Sequence, residues 1–250
     1  MTVLNLACGH TTSSSCINID WSINLRLARN PFLYSLARYV LAPQRVRMLE
    51  GLRANKNNLI AHDLTKGIPC PDNSVDAVYH SHFLAHLDRN LADPAQDAAL
   101  IFLKECRRVL KPGGVMRSVV PDLEYFARAY LAHLELAAAH PDECAQHEKY
   151  VSDIIEMAAR KKPFAASMQR PIMRRIESLL LGDARKRGET QQWWYDRINL
   201  KVLLESAGFH SIREFDYRTS SIADWSQFGF DQNADGTPYQ RHSLFLEAVK

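Results

Sequence analysis

Three histidines, His80, His82 and His86, fall in quick succession after the apolar run VDAVYH at residues 75–80. Imidazole changes charge near neutral pH, so side chains of this type at the mouth of a strand suit proton transfer from a bound acceptor. His82 is the leading candidate for that base, and His86, a helical turn further on, is the reserve. The same triplet can be read as metal ligands. That reading is weaker, because His80 ends a strand, the other two are expected to open a helix, and no carboxylate completes the set; no metal is expected. Two acids stand out as well. Asp20 closes the short run INID, and Asp63 opens the turn-rich stretch DLTKGIPCPDNS. An acid closing the second strand of a doubly wound sheet accepts hydrogen bonds from a ribose. The plainer use of both acids is helix capping or turn formation. Finally, WWYDR at 193–197 joins flat apolar surface to opposite charges. With Asn199 read as the cap of a helix over 199–207, Asp196 and Arg197 are left for substrate binding or a structural salt bridge.

These residues need a frame that brings them to one edge. Val3–Leu6, Ile17–Ile19, Leu59–Ala61, 75–80 and Val115–Val120 read as strands, the fourth of the near-continuous apolar kind that buried parallel strands show. Between them lie helical stretches at 22–42, broken by Pro31, and at about 99–110, where apolar residues recur with helical period. KPGG at 111–114 stops the second. Alternation of this kind predicts a Rossmann-like, doubly wound, mostly parallel sheet covered by helices. From 122 to 190 the alternation ceases: Leu123, Phe126, Tyr130 and Leu134 share one helical face, and Val151, Ile154, Ile155 and Ala158 share another. This is a helical insertion, longer than ordinary connections, to serve as a lid or an interface. The pattern resumes with helix 199–207, SIREFDY and an antiparallel last strand at SLFLEAV. The expected domain is therefore 1–121 with 191–250, interrupted by 122–190.

Bulk properties narrow the classes. At 250 residues, with 46% hydrophobic and 24% charged residues, the chain has the composition of a globular protein. A net charge of +3 gives no argument for nucleic acid or an anionic membrane as partner. No apolar run approaches the roughly 20 residues of a membrane span, and no signal peptide is visible. The five cysteines are irregularly spaced without a CxxC pair, which reads as reduced thiols in a cytoplasmic protein.

In order along the chain, LNLACG, INID, AHDLTKGIPCPDNSVDAVYHSHFLAHL, RRVLKPGG with VVPDLE, and LLESAGF resemble class I S-adenosylmethionine-dependent methyltransferases. More narrowly they are similar to bacterial enzymes of small-molecule and glycan pathways. The resemblance covers roughly 1–122 and 190–250. It implies S-adenosylmethionine as cofactor, held by Asn5, Ala7, Cys8, Gly9, Asp20, Trp21, His62, Asp63, Leu64 and the backbone at His80. Asp20 would accept from the ribose diol and Asp63 from the adenine amino group. His82 or His86 would act as base, and Trp194, Tyr195, Asp196 and Arg197 would meet a small-molecule acceptor, a sugar or secondary metabolite; a homodimer is open. The cofactor carries no phosphate, so a full G-x-G-x-x-G run is unnecessary, and its absence weighs against a nicotinamide-dependent oxidoreductase. Two departures stand against the pattern. Ala7 replaces a glycine, which is tolerable if φ there stays negative while Gly9 provides the close approach, and Ala85 replaces a glutamate. They sustain the rival reading of a cofactor-binding interaction protein without catalysis.

Overall fold

A computed structural model of the chain describes residues 1–143, 146–147, 149–151 and 191–250. The elements run β1 (Val3–Leu6), β2 (Ile17–Asp20), α1 (Ile23–Arg29), α2 (Pro31–Val40), α3 (Pro43–Ala54), β3 (Leu59–Ala61), β4 (Val75–Ser81), α4 (Ala98–Val109), β5 (Leu110–Pro121), α5 (Leu123–Ala139), α6 (Arg197–Ser206), β6 (His210–Phe215) and β7 (Ser243–Val249). One seven-stranded sheet has the order β3-β2-β1-β4-β5-β7-β6. β1 pairs in parallel with both β2 and β4 (Leu4 opposite Ile17 and Val78), whereas β7 is antiparallel to its neighbours β5 and β6. The Rossmann-like fold with an antiparallel last strand is thus the fold of the chain. β7 lies inside the sheet and β6 forms the edge.

Local chemistry sets the boundaries. Asn30 ends α1 and caps α2, its Oδ1 accepting from the N–H groups of Phe32 and Leu33 while Pro31 takes the first helical position. KPGG does end α4 but lies within β5 as a bulge, because Val75 faces Leu110 whereas Ala77 faces Val115. A Cβ at Gly114 would sit 2.9 Å from the Lys111 carbonyl oxygen and 3.0 Å from that of Asp76, so only glycine fits there. After β4 there is only a single turn, Leu84–His86, in place of the helix expected to begin at His82. Beyond β5, α5 supplies the first expected face of the 122–190 stretch. Ile154, Ile155, Ala158 and Cys144 lie outside the described residues.

The sheet is covered differently on its two sides. On one side Leu4, Leu6, Val78, Met116 and Leu246 pack under α4 and α6 through Phe102, Leu103, Leu200 and Leu203. On the other, Val3, Tyr79, Val119 and Phe245 lie beneath Ile222, Trp225, Phe228 and Phe230 of the β6–β7 connection. The β1–β2 link, residues 7–16, contains no helix. A crossover this short leaves the sheet face bare, and the β6–β7 connection fills it.

Arg117 fastens that cover. It is completely buried on β5, with Nε donating to Asp231 at 2.8 Å, Nη1 to Glu247 at 2.7 Å and to the Thr219 carbonyl, and Nη2 to the Asp216 carbonyl. Asp231 also accepts from Tyr79 Oη and Trp225 Nε1. Burying this many charges is tolerable only because every one is paired. Arg117→Ala leaves two buried carboxylates facing each other, so a loss of about 3–5 kcal/mol in unfolding free energy is expected by chemical denaturation.

Candidate active site

The candidate site begins where β1 ends. Ala7 and Gly9 both take positive φ, +51° and +55°, turning the chain sharply at the C-terminal edge of the sheet. The expectation of negative φ at Ala7 is therefore corrected: the loop needs a left-handed residue there, and the methyl group is accommodated with strain. Two buried asparagines replace the missing helix as partners for the loop backbone. Asn5 Nδ2 donates to the Thr11 carbonyl and to Asn18 Oδ1, and Asn18 binds both the N–H and the carbonyl of Ser13. Asn5 thus lines the cleft but commits its amide to loop architecture. Asp20 closes the arrangement, one oxygen accepting from Gly9 N–H at 2.9 Å and the other from Ser22 N–H at 2.5 Å. Carboxylate oxygens carry two lone pairs each, so both keep capacity toward a diol.

The cleft, of about 160 Å³ and open to solvent, is bounded by Asn5, Ala7–Thr11, Tyr79 and Ser81 on one side and Phe230, Tyr239 and Gln240 on the other. Tyr239 Oη lies 2.9 Å from His10 Nε2, bridging the first loop to the β6–β7 connection. His10, Tyr79, Phe230, Tyr239 and Gln240 were not singled out from the sequence. The signal available was the aromatic density of 225–239, but only the fold shows which strand it covers. Cys8 is buried, and burial together with the nearby Asp20 carboxylate pushes its thiol well above the ordinary range.

The remaining expected cofactor residues divide. His62 donates its backbone N–H to the Asp20 carbonyl, placing Asp63 beside Asp20, and its ring lies 3.0 Å from the Gly67 carbonyl oxygen. Asp63 caps the turn Leu64–Lys66, with Oδ1 accepting from Thr65, while Oδ2 lies 3.8 Å from Lys66. Trp21 is exposed, with the Arg26 guanidinium 3.6 Å above its ring. Leu64 belongs to the core packed under α4. The His80 side chain points away from the cleft, edge-on to Phe102 in the α4 layer, so only its backbone could serve a ligand.

The candidate base has its own constraints. His82 adopts a left-handed turn, φ +56°, its N–H still bonded to the Val119 carbonyl and Nε2 2.8 Å from Ser243 Oγ. Burial, helped by repulsion from His86, pulls its pKa down to about 4, so it is neutral at pH 7. His86 sits half-buried on the following turn. Ala85 is buried, and its carbonyl accepts from Gln192 and Trp193, clamping the returning chain where the family pattern has a glutamate.

WWYDR is mainly structural. Asp196, not Asn199, is the N-cap of α6; its Oδ1 accepts from Ile198 and Asn199, while Asn199 Oδ1 accepts from Asp196 N–H. That capping box corrects the expectation that left Asp196 free, and Arg197 pairs with Glu124 at 2.9 Å. Tyr195 is fully buried and bridges to Asp122, so it offers no surface to an acceptor. Trp194 is half-buried and accepts from Asn199 through its carbonyl. Among the described residues no three His, Cys, Asp or Glu side chains converge to hold a metal ion.

The sheet order and a cleft at the ends of its strands define a Rossmann-like ligand-binding protein. Residues 27–117 match the family described as a methyltransferase domain, a span that includes Asp63, β4 and KPGG but begins after Asp20. Residues 27–117 therefore carry a methyltransferase domain, a class whose methyl donor is S-adenosylmethionine. No curated protein matches the sequence. Among solved structures, a Thermotoga maritima S-adenosylmethionine-dependent methyltransferase, described as a possible histamine N-methyltransferase, is similar at 13% identity and TM-score 0.46 over 100% of this chain and 82% of its own. A Methanosarcina mazei methyltransferase is similar at 16% identity and TM-score 0.44, over 100% and 92%. One from Archaeoglobus fulgidus gives 14% and 0.43, over 100% and 86%.

Two outcomes follow from the backbone and the histidines. Ala7→Gly removes a Cβ from a left-handed position and should stabilise the fold by about 1 kcal/mol, read as an increased denaturation midpoint. Burial also lowers His80 to about 3, below the ordinary value of 6.5, as it lowers His82. Between these folded values and 6.5 the unfolded chain binds more protons, so stability is full above about 6.5 and falls as pH drops below it. Thermal unfolding at pH 5 should lie below that at pH 7, and His80→Phe should narrow the difference.

Proposed function

We propose that the protein transfers the methyl group to an oxygen or nitrogen of a small molecule, with a sugar or a secondary metabolite as the leading acceptor class. The observation that carries this reading is the C-terminal edge of the sheet, where the cleft beside the Ala7–Thr11 turn is followed by Asp20 at the end of β2 and Asp63 just past β3. Asp20 reaches the cleft through its bond to Gly9 N–H, and neither acid lines the cleft itself. The space around Gly9 is open, with no atom within 4 Å of where a Cβ would be, which suits close approach of a ligand to the backbone. When bound, S-adenosylmethionine supplies an electrophilic methyl group on a sulfonium. Asp20 accepts from the ribose diol, Asp63 from the adenine amino group, and the loop backbone with that of His80 holds the amino-acid end.

The acceptor side lies on the other flank of β4. There His82 meets Ser243, and the exposed rings of Tyr125 and His242 stack 4.0 Å apart, a flat ledge of the kind that sugar and heteroaromatic rings favour. His82, neutral at pH 7, accepts the acceptor's proton as the new bond forms, and His86 is its reserve. Residues 1–121 and 191–250 form the transferase unit, with 122–190 as its lid or dimer contact.

The test joins titration calorimetry with turnover. Asp20→Ala should weaken the binding of S-adenosylmethionine or its demethylated product by about tenfold or more, the loss of a charged hydrogen bond. His82→Ala should lower turnover of a sugar or metabolite acceptor by about a hundredfold while leaving donor affinity unchanged. Unaltered donor affinity in Asp20→Ala removes that acid from the site, and full turnover in His82→Ala removes the base.

A further inference from the structure

α2 turns its apolar side outward. Tyr34, Ala37 and Leu41 face the small core that α2 shares with α1 and α3, whereas Phe32, Leu33, Leu36, Tyr39 and Val40 occupy the opposite face. Phe32 is 76% exposed, Tyr39 89% and Val40 73%. At helical spacing these five positions form one continuous stripe. Trp21 and Ile23, at the start of the same segment, are also more than half exposed. Exposed apolar residues scattered singly need no explanation, but a stripe on one helix does.

The charges on α1–α3, the helices that carry the stripe and pack beneath it, indicate what covers it. Between residues 26 and 53 lie six arginines, Arg26, Arg29, Arg38, Arg45, Arg47 and Arg53, against a single acid, Glu50. The whole-chain charge of +3, which by itself gives no argument for a membrane partner, averages over this concentration. Arg53 is used internally, donating to the Ala28 carbonyl and lying over the Tyr34 ring, and Arg38 lies over the same ring at 5.8 Å, but Arg26, Arg29 and Arg47 are exposed. A second copy docking by the same face would bring like charges together across a two-fold axis. An anionic occupant gains from them. The stripe is a convex ridge on one helix, with an aromatic residue near each end, which suits a plane rather than a groove. Among the described residues no helix is long and apolar enough to cross a membrane, so the contact is one of lying on a surface.

We propose that the α1–α3 segment docks the enzyme on an anionic lipid surface, Phe32, Leu36, Tyr39 and Val40 entering the headgroup–acyl boundary while the arginines meet lipid phosphates. Basic residues beside an apolar helix face are the combination that binds such interfaces, each charge adding to the attraction. α1 starts at Ile23, three residues after Asp20, so the docked segment follows the proposed cofactor edge along the chain, which suits an acceptor that is itself held at the interface.

Vesicle co-sedimentation of the full chain tests this without any acceptor. Partitioning onto phosphatidylcholine vesicles containing phosphatidylglycerol should exceed that onto phosphatidylcholine alone by at least about tenfold and should fall as salt is raised. The exposed-face variant F32S/L36S/Y39S should abolish it with unchanged thermal unfolding, and R29A/R47A should weaken it. Equal binding to neutral vesicles, or none to either, overturns the proposal. So does a concentration-dependent dimer in sedimentation velocity that F32S/L36S/Y39S dissociates while the wild type stays off the vesicles, which would assign the stripe to a second copy.

Discussion

The organisation of the site depends on one buried cation. Arg117 has no exposure, yet its guanidinium is matched by two carboxylates, two carbonyls and the faces of Trp225 and Phe245, each 5.2 Å away. A charge in such a place is unaffordable alone and specific when fully paired, because each partner has only one position that satisfies it. Here the partners come from β7 and from the start and the middle of the long β6–β7 connection. The ion network therefore decides where that connection lies, and it lies over Tyr79, whose hydroxyl binds Asp231 and whose ring stacks on Phe230 at 4.9 Å. Tyr239, its N–H bonded to the Asp231 carbonyl, is carried to the mouth of the cleft by the same anchor.

The first loop solves the complementary problem. A parallel crossover is ordinarily covered by a helix that satisfies its own backbone. Ten residues without a helix must find other partners, and Asn5, Asn18 and Asp20 provide them from neighbouring strands. The asparagines of LNL and INID are thus explained by hydrogen-bond accounting rather than by ligand contact. Asp20 holds the turn at Gly9 and still presents its carboxylate at the sheet edge, so loop geometry and the proposed cofactor contact depend on one side chain.

Much of this was legible in the linear chain. The strands at 3–6, 59–61 and 75–80, the break at Pro31 and the antiparallel last strand follow from short-range rules: apolar runs of strand length, proline's fixed φ and alternation in SLFLEAV. Errors arose where a residue's role depends on something distant. Asp196 and Asn199 both have good capping chemistry, and which one starts α6 is decided by the bridge between Tyr195 and Asp122, which sets where the chain enters. The left-handed turn at Ala7 runs against the residue's own preference and exists because β1 and β2 must be joined in ten residues. His82 has the composition of a base in any sequence window, but its pairing with Ser243 joins residues 161 positions apart.

Sequence alone determined the fold class, the enzyme class through its ordered motifs, and the acids at the ends of β2 and β3, because each depends on neighbours along the chain. Tertiary structure decided which face every side chain serves. It placed the β6–β7 connection over the bare sheet, turned His80 away from the cleft and, among the described residues, left the apolar stripe of α2 exposed. Periodicity specifies that a helix has an apolar face, but only the packing of the other elements determines whether that face is buried or meets the outside.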